Sequence, residues 1–186
     1  MKRLFDLALA LFASLFLIIP IVVVAILVKF TSKGSAIYWS DRVGKHNVIF
    51  RMPKFRSMKI DTPAVATHLL QDPKSVLTPI GNFLRKSSLD ELPQLWCILK
   101  GDMSFVGPRP ALFNQDDLIE LRSQKGVDKL MPGLTGWAQV NGRDELPIPE
   151  KVALDAEYIS KQSFWFDIYI IWLTFLKVVK RDGVSH

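Results

Sequence analysis

Hydrophobic positions are distributed very unevenly along this chain. From Leu7 to Val28, 22 successive residues carry no charge. As one helix they would rise about 33 Å, against a hydrocarbon core of about 30 Å. Pro20 interrupts the run, removing a backbone donor and bending the helix. Lys2 and Arg3 precede it, and Lys29 and Lys33 follow it. With basic residues at both ends, the positive-inside rule selects no orientation. Two readings stand at this point: a helix that spans the bilayer, and one that breaks and leaves by the face it entered. A cleaved leader is disfavoured, because its apolar core is shorter and ends in small residues. Here the small cluster Gly34-Ser35-Ala36 lies behind two lysines.

After this run the pattern shortens. Tyr38-Trp39 and Val48-Ile49-Phe50 predict two short strands around the polar turn Asp41 to Asn47. Residues 61–79, with three prolines, read as a surface loop. Ile80 to Lys86 reads as helix. Leu92, Leu95, Trp96 and Leu99 predict one apolar helix face, stopped by Gly101. Gly107-Pro108-Arg109-Pro110 is rigid, non-helical chain. Asn114 to Lys125 predicts a polar, exposed helix, Pro132 to Gly142 a loop, and Glu150 to Lys161 a helix. Phe164 to Phe175 holds six aromatics in 12 residues, ahead of Lys177, Lys180 and Arg181. Trp and Tyr at headgroup level and a basic end favour a helix lying in the membrane interface, with core packing as the other reading.

Composition narrows the function classes. Half of the residues are hydrophobic (49%), yet no second stretch matches the first, so the chain is not a polytopic transporter. The single Cys97 excludes an internal disulfide and a Cys-x-x-Cys zinc site. Three scattered histidines make a His-based metal site improbable. A net charge of +6 calls for an anionic partner: membrane, phosphate ligand or nucleic acid. Most aromatics lie in the apolar C-terminal segment and not among the cations, which argues against a nucleic-acid binder.

The nucleotide-loop, nucleophile-elbow and zinc-helix motifs are absent. What remains are acids and cations beside turns. In Ser87-Ser88-Leu89-Asp90-Glu91-Leu92-Pro93, Ser88 and Glu91 have capping-box spacing. The plain reading is a well-capped helix. The functional reading is an acid pair whose ionised carboxylate, favoured by the helix dipole, binds Mg²⁺ or attacks phosphorus. Lys54, Arg85, Arg109 and Arg143 are candidate phosphate-binding cations. Arg109 is the most distinctive, because two flanking prolines fix its backbone. The glycines of residues 132–143 allow close approach of backbone to a ligand, and Trp137 is a candidate to stack on a base or sugar.

Lys54-Phe-Arg-Ser-Met58, Leu89-Asp-Glu-Leu-Pro-Gln-Leu95, Gly101-Asp-Met-Ser104, Gly107-Pro-Arg-Pro110 and Pro132-Gly-Leu-Thr-Gly-Trp-Ala-Gln-Val-Asn-Gly-Arg143, in this order behind an apolar helix, closely resemble the bacterial sugar transferases. These are the monotopic phosphoglycosyl transferases that start glycoconjugate assembly. The resemblance implies transfer of a phospho-sugar from a UDP-sugar to undecaprenyl phosphate, with Mg²⁺ and release of UMP, on the cytosolic face of the bacterial inner membrane. It maps Asp90 onto the nucleophile, which forms an aspartyl phospho-sugar and contacts the metal, and Glu91 onto its supporting acid. Arg85 and Arg109 map onto phosphate-binding positions, with Lys54 and Arg143 as further site cations. The implied architecture is α-rich α+β. Residues 1–33 form a re-entrant helix broken near Pro20, and residues 34–186 a cytosolic domain with an interfacial helix over 164–181. Larger members carry extra N-terminal membrane helices and a further domain, so the expectation here is the minimal form. Members often place Ser before the kinking proline. Here the residue is Ile19, which leaves open how the backbone is satisfied. The competing reading is a non-catalytic, membrane-anchored module that binds lipid phosphate. The acid pair speaks against it, since an anion binder gains nothing from two acids among its cations. The sugar is not legible from these residues.

Overall fold

The N-terminal apolar run forms two helices, α1 (Lys2–Phe16) and α2 (Ile18–Thr31), in this computed structural model, which describes residues 1–65, 72–142 and 146–180. They meet at Leu17 with a bend of 62°. The break lies three residues before Pro20. A proline inside a helix clashes with the carbonyl four residues back, which here is Phe16. Ending α1 at Phe16 leaves Pro20 in the first turn of α2, where its lack of an N–H costs little. The backbone closes the break itself: Leu17 N donates to Ala13 O at 2.8 Å and Ile21 N to Leu17 O at 2.9 Å. No single helix among the described residues is long and apolar enough to cross a membrane, whereas the bent pair together has that length and composition.

Each helix of the pair buries one side. Ala10 of α1 packs with Met52, Leu95, Ile98 and Met103, and Val24 and Val28 of α2 pack with Phe55 and Leu84. Phe12, Phe16, Ile19, Val23 and Phe30 stay exposed.

The expected strands are longer than the sequence predicted. β1 (Ile37–Val43) pairs antiparallel with β2 (Ile49–Phe55), so Asp41 to Val43 belong to the ladder and the turn shrinks to residues 44–48. Tyr38 lies opposite Lys54 and Arg42 opposite Phe50. Strand alternation therefore puts Ser40, Arg42, Met52 and Lys54 on one face. The described part of residues 61–79 runs in turns, and residues 66–71 lie outside the described chain. α3 (Gly81–Lys86) forms as expected. A 3-10 turn, Leu89–Gln94, leads into α4 (Leu95–Lys100), which Gly101 ends with φ +105. The anticipated apolar face is corrected: Leu95, Cys97 and Ile98 are buried, but Trp96 is exposed, because the change from 3-10 to α geometry rotates the stripe.

β3 (Ser104–Val106) and α5 (Asp116–Gln124) follow. α5 is not wholly exposed as expected, for it buries Leu118 and Arg122. The segment 132–142 is not a loop either. β4 (Gly133–Thr135) pairs parallel with β3, and α6 (Trp137–Asn141) follows it. Glycine makes this packing feasible, since a Cβ on Gly136 would sit 2.1 Å from Gly107 O. α7 (Ile148–Lys161) and α8 (Phe164–Lys180) complete the fold. The aromatic segment packs part of α8 into the core and leaves another face exposed. Ile170 joins Val106, Val140 and Tyr158 in the core, while Trp165, Tyr169, Trp172 and Phe175 are exposed. The result is a helix-rich α+β domain with, among the described residues, two small two-stranded sheets.

Candidate active site

The acid pair reaches its position through an unusual turn. Ser88 adopts the left-handed conformation, φ 57, its side chain caps nothing, and its carbonyl accepts from Glu91 N at 3.2 Å. The expected capping box therefore does not form. Glu91 instead reaches two cations that outcompete a neutral amide: Lys54 Nζ and Arg109 Nη2 donate to its Oε1 at 2.9 and 2.6 Å. Lys54 comes from β2, which packs on the 3-10 turn. Arg109 comes from the Pro-flanked segment after β3.

Asp90 is placed differently. It is only 7% exposed, yet its carboxylate makes no hydrogen bond or ion pair with a described residue. Burial pushes its pKa up to about 6, and the Glu91 charge adds to this, against the opposing fields of Lys54, Arg85 and Arg109. In this short 3-10 turn, desolvation outweighs the charges that favour the ionised form of Asp90. The two acids separate in character. Burial would raise Glu91 as well, but Arg109 and Lys54 outweigh it and hold its carboxyl below the usual range. Burial lowers the Lys54 ammonium from its ordinary value. Arg85, on α3, touches Met58 Sδ at 3.7 Å and acts on Asp90 through its charge. Among the described residues, Lys54, Arg85 and Arg109 thus surround the two acids, and the Asp90 carboxylate is the acid of the pair without a direct partner there.

The sequence model described as bacterial sugar transferase matches residues 1–181. The chain belongs to the bacterial sugar transferase family. It is 38% identical to the uncharacterized sugar transferase EpsL of Bacillus subtilis over all of this chain and 91% of that protein. It is 42% identical to the UDP-glucose:undecaprenyl-phosphate glucose-1-phosphate transferase of Escherichia coli over 95% of this chain. It is 40% identical to the undecaprenyl-phosphate galactose phosphotransferase of Salmonella typhimurium over 81% of this chain. The matched region spans 40% and 34% of the lengths of those two relatives.

Within this member of the sugar transferase family, the structure gathers Lys54, Asp90, Glu91 and Arg109 into one cluster, with Arg85 close enough for its charge to act on Asp90. Arg143 lies outside the described residues. Trp137 is not available as a stacking platform: its ring packs on Phe166 at 5.1 Å, Lys161 lies over it, and its Nε1 donates to Glu157 at 3.0 Å. Sequence reasoning missed Arg42, whose charge acts on Lys54 and whose Nη1 donates to Pro110 O at 3.2 Å. The two-residue alternation Ser40-x-Arg42, on the face of Lys54, was the available signal. For a metal, no three His, Cys, Asp or Glu side chains converge among the described residues. The open Asp90 carboxylate nevertheless fits the way Mg²⁺ is commonly held, through one or two carboxylates with phosphate oxygens and water.

Proposed function

We propose that this protein transfers a phospho-sugar from a UDP-sugar to undecaprenyl phosphate, releasing UMP, through an aspartyl phospho-sugar intermediate on Asp90. The observation that carries this reading is the contrast inside the acid pair. Glu91 is occupied by Lys54 and Arg109, while the more deeply buried Asp90 has no hydrogen-bond or ion-pair partner among the described residues and lies in the field of cations suited to phosphate. The relatives' names supply the substrate class.

In the first step an oxygen of the ionised Asp90 attacks the β-phosphorus of the UDP-sugar. The bond from that phosphorus to the bridging oxygen breaks, and UMP leaves with the electron pair. In the second, a phosphate oxygen of undecaprenyl phosphate attacks the same phosphorus. The bond to Asp90 breaks and the carboxylate is regenerated, leaving a lipid diphospho-sugar. At pH 7 a carboxyl with a pKa of about 6 is mostly ionised, and because it is only weakly hydrated it is a reactive nucleophile. Glu91 anchors Lys54 and Arg109 side by side, ready to balance charge on the phosphates. Mg²⁺ held by Asp90 and phosphate oxygens would neutralise charge on the diphosphate. Arg85 and Arg143 are assigned to phosphate binding.

The exposed apolar faces of α1, α2 and α8 are assigned to the membrane. The bent pair is read as re-entrant, with residues 34–186 on the cytosolic face of the bacterial inner membrane. In intact cells, Lys2→Cys and Lys33→Cys should both resist a membrane-impermeant maleimide added from outside. Labelling at either position contradicts this topology. The reaction itself is tested with purified full-length protein, Mg²⁺, undecaprenyl phosphate and a panel of UDP-sugars. UMP release matched by lipid product is the expected result, whereas retention of the lipid phosphate without UMP release contradicts it.

A further inference from the structure

The segment that carries Arg109 cannot hold itself in place by an ordinary ladder, because Pro108 and Pro110 have no N–H. Its carbonyls are instead taken one at a time by four different partners. Pro108 O accepts from Gly133 N at 2.9 Å, Arg109 O from Arg122 Nη1 at 2.8 Å, Pro110 O from Arg42 Nη1 at 3.2 Å, and Ala111 O from Val43 N at 2.9 Å. The two grips on either side of the Arg109–Pro110 peptide are guanidinium groups. Arg122 is fixed in turn by Asp155 of α7, whose Oδ2 accepts from its Nε at 3.0 Å and its Nη2 at 2.6 Å. Arg122 is 8% exposed and Asp155 1%. Burying this ion pair carries a desolvation cost that an apolar pair would not have. The third arm of its guanidinium ends on the main chain of the residue whose side chain reaches Glu91 at 2.6 Å.

We propose that Arg122, oriented by Asp155, and Arg42 are positioning residues for the phospho-sugar transfer, acting through Arg109 by fixing the backbone from which its guanidinium reaches Glu91 and the substrate phosphates. The hydrogen bonds of Arg122 and Asp155 run to each other and to the Arg109 main chain, and Arg42 donates to the Pro110 main chain. The inference rests on the proposed function, in which Arg109 binds phosphate.

A double-mutant cycle measured by UMP release under single-turnover conditions tests it, with Mg²⁺, undecaprenyl phosphate and the UDP-sugar that wild-type protein turns over best. Arg122→Gln should slow transfer about tenfold to a hundredfold, the scale of a misplaced contact group. Arg122→Lys, which keeps the charge against Asp155 and a donor, should recover part of the loss. In an Arg109→Ala background, Arg122→Gln should change the rate by less than about twofold, because the group it aims is gone. Equal losses in both backgrounds would mean a general structural role and overturn the inference. No loss in the wild-type background overturns it too. If Arg122→Gln does not fold, Arg42→Gln and Asp155→Asn enter the same cycle with the same expectations. A wild-type protein that releases no UMP from any UDP-sugar overturns the proposed function and this inference with it, whereas an active wild type with additive losses overturns the inference alone.

Discussion

At the start of α1, Lys2 pairs with Asp167 and donates to Val106 O, and Tyr158 Oη donates to Asp167 at 2.6 Å. Close by in the chain, Asp6 accepts from Ser104 Oγ at 2.8 Å and from Phe105 N at 3.1 Å. These carboxylates, 5% and 3% exposed, are supplied with donors by the protein itself. Asp90, 7% exposed, has no such donor among the described residues. The difference separates two uses of a buried charge. At the latch of α1 onto β3 and α8, every acid completes a structural contact. At the acid pair, one carboxylate gathers cations while the other is left open, at a cost in desolvation that a purely structural site would avoid.

The comparison is broken most directly by exchanging charge for shape. Asp90→Asn should lower turnover by at least about a thousandfold, since an amide cannot serve as the nucleophile. The same change should leave the protein equally stable or more stable, by about 1 kcal/mol. Its folded pKa is raised, so the protonated form fits the fold better and the ionised form weakens it at pH 7. Activity assays and thermal unfolding in the same detergent read both effects. Arg109→Ala should cost about 2–5 kcal/mol in kcat/KM. Arg109→Lys should recover little of it, because a point charge does not reproduce a two-pronged contact.

The pH profile sharpens the contrast within the pair. The rate should fall on the acid side around pH 6 as Asp90 takes up a proton. Glu91→Gln removes a negative neighbour that raises Asp90, so the acid limb should move to lower pH, by up to about one unit. Asp6→Ala should do the reverse of Asp90→Asn. It strips an acceptor from Ser104 and Phe105 and should cost about 2 kcal/mol of stability, with activity per folded molecule within about twofold.

Much of this was legible in the chain because the signals were local. The uncharged run, the stop at Gly101, the acid pair and the Pro-flanked Arg109 each follow from neighbours a few residues apart. What escaped depended on distant partners. The helix break expected near Pro20 falls at Leu17, because the clash lies one turn upstream. The Ser88-x-x-Glu91 spacing promised a cap, but Glu91 is drawn to Lys54 and Arg109, 37 and 18 residues away. Residues 132–142 read as loop because three-residue β4 has meaning only beside β3. Arg122 and Asp155, 33 residues apart, share no pattern that a single sequence displays.

The central claim is that Asp90 is the open, reacting carboxylate. It is tested by exposing the purified protein to UDP-sugar and Mg²⁺ without any lipid acceptor, quenching in acid and mapping peptides by mass spectrometry. UMP in an amount comparable to the enzyme, with a phospho-sugar on the peptide containing Asp90, is the predicted result. UMP that appears only when undecaprenyl phosphate is also present, with no adduct on that peptide, would contradict it and make the lipid phosphate the direct attacking group.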